Sequence, residues 1–263
     1  EYYMKNALIG YSGFVGSTLL KQNKFDSLYR STNIEDIKGS KFDLVVCAGA
    51  PAQKWLANKE PLRDAEIIGN LISCLNEIDC EMFILISTVD VFKEPIKVDE
   101  DTQIETQNLH AYGLNRYRLE QFVQEKFKHH LIIRLPGLVG PGLRKNIIFD
   151  FHNNNEITKI ESRNVFQFYP MVNLWSDIEK AIDNNIKLVH LTAEPISVAQ
   201  IAKDGFGFTF DKQHTSKLVT YDMRSKYASL FGGAGVYQYT NKETIQAIRH
   251  YAQSEPKKYG IEE

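Results

Sequence analysis

Three glycines spaced three apart, Gly10, Gly13 and Gly16, follow directly on the apolar run Ala7-Leu8-Ile9. Between a buried strand and a helix, that spacing gives a tight turn and lets the backbone approach a pyrophosphate closely. The helix beyond supplies unpaired N–H donors and a partial positive charge that favour an anion. Ser12, Phe14 and Val15 lie inside the same loop and are assigned to dinucleotide binding with the glycines. The order is Gly-x-x-Gly-x-x-Gly rather than the commoner Gly-x-Gly-x-x-Gly. A second group can move protons. Tyr112 and Arg116 stand four apart on an expected helix and so share a face. A phenol beside a cation can have its pKa lowered and can then give or take a proton at a carbinol or carbonyl oxygen. Thr88 ends an expected strand, and its hydroxyl can hold that same oxygen. Alone, a Tyr/Arg pair at this spacing is an ordinary surface pair.

The choice of dinucleotide falls near the end of the second strand, expected at Ser27–Arg30. An acidic residue about 20 positions after the loop would hold the ribose 2′-hydroxyl of NAD. The sequence there is Leu28-Tyr29-Arg30-Ser31-Thr32, without a carboxylate. Arg30, assisted by Ser31, can pair with a 2′-phosphate, so NADP is preferred over NAD. The other reading of Arg30 is a solvated surface residue.

These residues need a scaffold, and the apolar pattern supplies one. Strands are expected at Ala7–Ile9, Ser27–Arg30, Phe42–Ala48, Met82–Ile86 and Leu131–Leu135, with helices over about 14–22, 62–76 and 111–128. Uninterrupted apolar strands alternating with helices signal a parallel sheet covered on both faces. The fold class is α/β, a Rossmann-type doubly wound parallel sheet with a small C-terminal substrate-binding region. After about Leu135 the rhythm changes at the turn-rich Pro136-Gly137-Leu138-Val139-Gly140-Pro141-Gly142. Helical patches follow near Ile147–Phe151, Ser176–Asn184, Ser197–Lys203 and Lys242–Gln253. The expected division is a dinucleotide-binding core over 4–142 and a mainly substrate-binding region over 143–263, interleaved with it.

Composition narrows the classes further. With 263 residues, 43% hydrophobic and 24% charged, the chain can bury a substantial core. Its 31 Lys+Arg against 33 Asp+Glu give a formal charge of −2, which argues against a nucleic-acid partner or a polybasic membrane-surface role. No apolar run reaches the roughly 18–20 residues needed to cross a bilayer, and no signal pattern opens the chain. Glu1-Tyr2-Tyr3, ahead of Met4, is set aside from the fold. Cys47, Cys74 and Cys80 are few, odd in number and set in apolar segments, so a reducing, cytoplasmic location is expected. The seven histidines form no metal-ligand spacing, and no metal is expected.

Taken together, Gly10-x-x-Gly13-x-x-Gly16, Ser87-Thr88-x-x-Val91-Phe92 and Ala111-Tyr112-Gly113-x-x-Arg116 resemble the extended short-chain dehydrogenase/reductase superfamily, the group of nucleotide-sugar epimerases, dehydratases and reductases. Ala48-Gly49-Ala50 after the third strand, and Arg134 followed by Gly140-Pro141, are further parallels. The match runs over roughly residues 4–142. The resemblance implies that Gly10, Gly13 and Gly16 hold the pyrophosphate, that Asp36 and Ile37 lie near the adenine, and that Ala48, Gly49 and Ala50 line the cofactor. Thr88 would orient the substrate oxygen and Tyr112 would be the acid/base. The form of the Thr88 segment looks most like the 4-keto reductase branch, because Val89 stands at the first of the positions where dehydratases usually carry acidic residues, although Asp90 fills the second. A nucleotide-linked sugar is the implied substrate, and a homodimer through the Tyr112 helix is a further implication, although Tyr117, Arg118, Gln121 and Gln124 make its outer face polar.

One departure divides the functional reading. The superfamily pattern is Tyr-x-x-x-Lys, and Arg116 occupies the lysine position. Arginine keeps the charge but is larger, with donors aimed differently. The chain is therefore either an NAD(P)-dependent keto-sugar reductase or epimerase in which Arg116 supports Tyr112, or a catalytically impaired dinucleotide-binding or regulatory member of the same fold. Of the weaker signals, His110 is expected to cap or to lie in a loop. Arg144 and Lys145 could meet a substrate diphosphate, Phe166-Gln167-Phe168-Tyr169 could stack a nucleobase or form a strand, and Asp177 is expected to cap a helix.

Overall fold

The computed structural model describes residues 5–258; Glu1–Met4, including the three residues set aside above, lie outside them. In chain order the first elements are β1 (Asn6–Ile9), α1 (Phe14–Gln22), β2 (Ser27–Tyr29), β3 (Lys41–Cys47), α2 (Lys54–Lys59), α3 (Pro61–Leu75), β4 (Asp79–Thr88), β5 (Ile96–Val98), α4 (Ala111–Lys126) and β6 (His130–Leu135). There follow β7 (Gly137–Val139), α5 (Ile147–Asn153), β8 (Val165–Phe166), β9 (Phe168–Pro170), α6 (Leu174–Asp183), β10 (Leu188–His190), β11 (Ile196–Ser197), α7 (Val198–Gln200), β12 (Asp222–Met223) and α8 (Asn241–Ser254).

The apolar runs become a six-stranded sheet in the order β10-β6-β4-β3-β1-β2. The pairings of β2 with β1, β1 with β3, β3 with β4 and β4 with β6 are all parallel. Register aligns like with like: Leu28, Leu8, Val46, Ile84 and Leu131 form one row across five strands. From Leu8 to Leu131 that row is fully buried, which is why these strands read as continuous apolar runs rather than alternating ones. The chain goes from β1 to one side for β2, then crosses to the other side for β3. The order therefore reverses between β1 and β3, and the crevice beyond their carboxyl ends is where such a sheet binds ligands. The Rossmann-type doubly wound arrangement expected from the sequence is the one present.

The chain divides into two units. The first takes the described residues up to Glu94, Thr102–Leu135 and Trp175–Val189; the second takes Pro95–Asp101, Pro136–Leu174 and His190 onward. In the first unit, α3 and α4 pack Ile68, Leu71, Leu75, Leu119 and Val123 into one core with Val45, Phe83 and Ile132 of the sheet. The end of α4 shows how packing sets a boundary. Phe127 leaves the helix for extended backbone and stacks on Phe83 with ring centres 4.3 Å apart, so α4 stops at Lys126 rather than at Lys128.

The second unit is built from strands of two or three residues paired as β7 with β9, β11 with β8 and β12 with β5. Buried side chains bind what these short ladders leave over. Gln167 donates to Ala193 O and Met223 O, both at 2.8 Å, and accepts from Met223 N. Glu100 accepts from His190 N, Ser225 Oγ and Lys226 N. The helix expected over 197–203 is α7 continuing as a wider π-type turn through Ile201–Phe206. Asp177, expected as a cap, is the fourth residue of α6 and is buried there. Among the described residues, no helix is long and apolar enough to cross a membrane.

Candidate functional site

The glycine loop joins β1 to α1 at the reversal point of the sheet, and each of its glycines has a different reason to be there. Gly10 has φ +84°, donates to Tyr29 O at 2.7 Å, and lies so close to β3 that a Cβ would fall 2.2 Å from Ala48 O. A Cβ on Gly16 would fall 1.9 Å from Gly10 O. Both positions are closed to any side chain by the packing of the loop on itself and on Ala48. Gly13 differs: a Cβ there would meet only Gly10 O, at an ordinary 3.6 Å. The fold does not require a glycine at that point, whereas close approach of a ligand would. Gly13 is also the N-cap of α1, with no side-chain cap and no acidic residue in the first turn, so the amide-rich helix start carries no protein anion. These features fit a pyrophosphate bound by the loop. Ser12 and Gly13 are exposed there, and Phe14 and Val15 half-buried.

Arg30, just past β2, bends back over this loop. Its guanidinium carbon lies 6.0 Å from the centre of the Tyr11 ring, its Nε donates to Thr32 Oγ1, and its backbone N donates to Asn33 Oδ1. Asp36 is exposed on the 3-10 turn Ile34–Ile37, while the Ile37 side chain is fully buried in the core, leaving only backbone to face a ligand. Ala48, Gly49 and Ala50 follow β3, half-buried, with Ala48 N bonded to Ile9 O. A Cβ on Gly49 would meet Ile9 Cγ2 at 2.9 Å, so this turn also packs tightly against β1.

Tyr112, Thr88 and Arg116 are brought together in the first unit. The start of α4 is fixed twice: Asn58 Oδ1 on α2 accepts from Tyr112 N, and His110 Nδ1 accepts from Gly113 N. His110 is thus the helix cap. Thr88, at the carboxyl end of β4, interacts with the phenol, and its Oγ1 accepts from Asp90 N. Arg116 is 3% exposed, and its guanidinium carbon lies over the Tyr112 ring, 4.0 Å from the centre. It therefore rests over the ring face. Its Nη1 donates to Asp64 Oδ2 at 2.5 Å and its Nη2 to Pro51 O at 2.7 Å, while Nε is buried without an acceptor.

Burial pushes the Tyr112 phenol above its ordinary value; the Arg116 charge opposes this, Asp90 adds to it, and hydrogen bonding with Thr88 and Arg116 works downward. The net direction is upward, opposite to the effect of the cation expected from sequence. Desolvation of the buried phenol is the largest of these causes and outweighs the charge.

Four participants were missed by sequence reasoning: Asp64, Asn58, Lys54 and the Pro51 carbonyl. Asp64 sits on α3 and receives bonds from both Arg116 and Asn115. A carboxylate inside the apolar periodicity of α3 was the available signal. Lys54 on α2 pairs with Asp90 at 2.7 Å. One turn further along α4, Glu120 is fully buried and holds Arg134 Nη2 at 2.7 Å and Ser87 Oγ at 2.6 Å. Elsewhere, Phe168 and Tyr169 are core residues, not a stacking surface; of that segment only Phe166 is half-buried, stacked on Tyr221. Arg144 and Lys145 are exposed in the loop before α5.

No protein-family model and no curated protein matches the sequence. Solved structures do match its shape. A dTDP-4-dehydrorhamnose reductase ortholog from Clostridium acetobutylicum superposes with a TM-score of 0.70 at 17% identity, covering 95% of this chain and 99% of that one. UDP-glucose 4-epimerase from Thermotoga maritima, solved with UDP-glucose, gives 0.68 at 15% identity over 95% and 98%. The dTDP-4-dehydrorhamnose reductase of Bacillus anthracis, solved with NADP, gives 0.70 at 15% over 94% and 98%. The chain shares the fold of these structures, a Rossmann-type parallel sheet, over nearly its whole length.

Proposed function

We propose that this chain is an NAD(P)-dependent oxidoreductase acting on a nucleotide-linked sugar, of the keto-sugar reductase or epimerase type, with NADP the preferred cofactor. The observation that carries the reading is the placement of Tyr112 beside Thr88 at the carboxyl end of β4, on the sheet edge where the glycine loop leaves β1. Gly10, Gly13, Gly16 and the start of α1 would hold the diphosphate, Arg30 a 2′-phosphate, and Ala48–Ala50 the cofactor's flank. Asp36 and the Ile37 backbone are assigned to the adenine. The second unit is assigned to substrate recognition.

A nicotinamide dinucleotide held there supplies hydride chemistry at a carbon. Thr88 would hold the carbonyl oxygen by hydrogen bonding, and the Tyr112 hydroxyl would give that oxygen its proton as the C=O becomes CH–OH. Solvent would then restore the phenol. Burial, which keeps Tyr112 protonated, suits this role. The reading predicts that consumption of reduced cofactor, measured with a panel of keto-sugar nucleotides, falls on the order of 100- to 10,000-fold in Tyr112→Phe. Equal rates in the two proteins would overturn it.

A second reading, dinucleotide binding without turnover, draws on Arg116. A guanidinium committed to Asp64 and Pro51 O has one buried donor left where the superfamily lysine would be free. It predicts saturable cofactor binding with no sugar-dependent oxidation at all.

A further inference from the structure

The ion pair beneath Tyr112 is the least expected feature of the first unit. Asp64 and Arg116 are each about 4% exposed and meet at 2.5 Å. A buried pair of that kind is costly to desolvate and contributes little net stability unless its remaining groups are bonded. Here they largely are: Asn115 Nδ2 donates to the same Asp64 oxygen at 2.7 Å, and Pro51 O takes Arg116 Nη2. Three elements, α3, α4 and the turn after β3, thus converge on one guanidinium and lay it against one aromatic face.

We propose that Asp64 is a positioning residue for Tyr112: its carboxylate clamps Arg116 over the ring and counters its charge, so that the phenol serves as a proton donor. This deepens the reading above and rests on it for its catalytic meaning, since a donor at that position suits reduction of a carbonyl over oxidation of a hydroxyl. The charges around the phenol support it. On α4 there are Arg116 and, two turns from Tyr112, Glu120, and the cap of that helix is His110. From the turn after β4 comes Asp90, from α2 Lys54, and from α3 Asp64. Arg116 is paired with Asp64, Lys54 with Asp90, and Glu120 with Arg134. Each cation near the phenol is thus matched by a carboxylate, and the lowering that Arg116 still exerts on Tyr112 is outweighed by burial.

The test follows the phenol itself and needs no turnover. Protein labelled with carbon-13 at tyrosine Cζ is titrated by NMR, and the Tyr112 resonance is identified by its loss in Tyr112→Phe. In Asp64→Asn the unmasked guanidinium should lower the Tyr112 titration by about one unit or more. In Asp64→Asn/Arg116→Gln, where neutral amides replace the pair, it should return to the wild-type position. An unmoved titration in the single variant, or one equally lowered in the double variant, would overturn the proposal. Should Asp64→Asn fail to fold, Arg116→Gln is set against the double variant: the uncompensated Asp64 must raise the phenol in the former, and coincident titrations would defeat the idea. Failure of the protein to bind either dinucleotide, measured separately by fluorescence, would remove the oxidoreductase reading without altering these titrations.

Discussion

Along α4, Tyr112, Arg116 and Glu120 recur every four residues on one buried stripe, and the two charged members meet opposite charges from α3 and β6. Around β9 and β12, by contrast, the buried polar side chains are mainly amides and hydroxyls. Gln167 ties Thr192, Ala193 and Met223, and Gln238 ties His190 O and Thr192 N. The difference follows from what each unit lacks. The six-stranded unit satisfies its backbone with long ladders, so its buried polar side chains are free to face one another and to hold a charged constellation. The second unit has strands of two or three residues, and its side chains are spent completing backbone hydrogen bonds. Buried polarity positions chemistry in one unit and substitutes for sheet in the other.

The largest effect is expected at Glu120. Glu120→Gln takes the carboxylate away from a buried Arg134 and should cost about 3–5 kcal/mol in denaturant unfolding. Replacing both partners, as Glu120→Leu/Arg134→Met, should recover most of that loss, because a well-packed apolar pair avoids the desolvation cost. If the double replacement remains as unstable as the single one, the stripe is a stability element and the contrast with the second unit fails. Gln167→Leu should cost less, about 2–3 kcal/mol, by leaving Met223 N and two carbonyls without their amide partner. No apolar second substitution can rescue it, since the groups left behind are backbone. Equilibrium unfolding of the three variants distinguishes the two mechanisms.

What the sequence made visible follows the same division. The apolar runs at Ala7–Ile9, Phe42–Ala48 and Leu131–Leu135 and the periodicity of α3 are local patterns, so the sheet, the glycine loop and the helix bearing Tyr112 could be read from residues near one another. β10 is only Leu188–His190, too short to announce itself, and it completes the sheet from more than fifty residues beyond β6. The short strands of the second unit depend on Gln167 reaching Met223, fifty-six positions away. At the site, Tyr112, Thr88 and the glycines carried a recognisable spacing, and Arg116 was visible as a departure. Its meaning was not, because the partner that neutralises it, Asp64, stands fifty-two positions earlier on another helix. Nor could the upward shift of Tyr112 be foreseen, since desolvation is a property of the packed core and not of the four-residue spacing.

The smallest expected effect concerns how the two units start their helices. α8 begins with a capping box, Thr240 accepting from Glu243 N and Glu243 accepting from Thr240 N, both without a titrating donor or acceptor near neutrality. α4 begins instead with His110, whose Nδ1 accepts from Gly113 N and is available only while the ring is neutral at that nitrogen. Thr240→Ala and His110→Ala should each cost about 1 kcal/mol at neutral pH. Burial, with the Lys54 charge adding to it, lowers the His110 pKa below its ordinary value. The unfolded chain therefore takes up the proton first as pH falls. The contribution of His110 is fully present above the ordinary histidine pKa of about 6.5 and is lost as pH drops through the lowered folded value. Thermal melts between about pH 7.5 and 5 should accordingly show the His110→Ala penalty shrinking toward the acid end while the Thr240→Ala penalty stays constant. A His110→Ala penalty that does not change with pH would mean that the imidazole packs at the helix start without serving as its acceptor, and that the Tyr112 helix is held there by Asn58 alone.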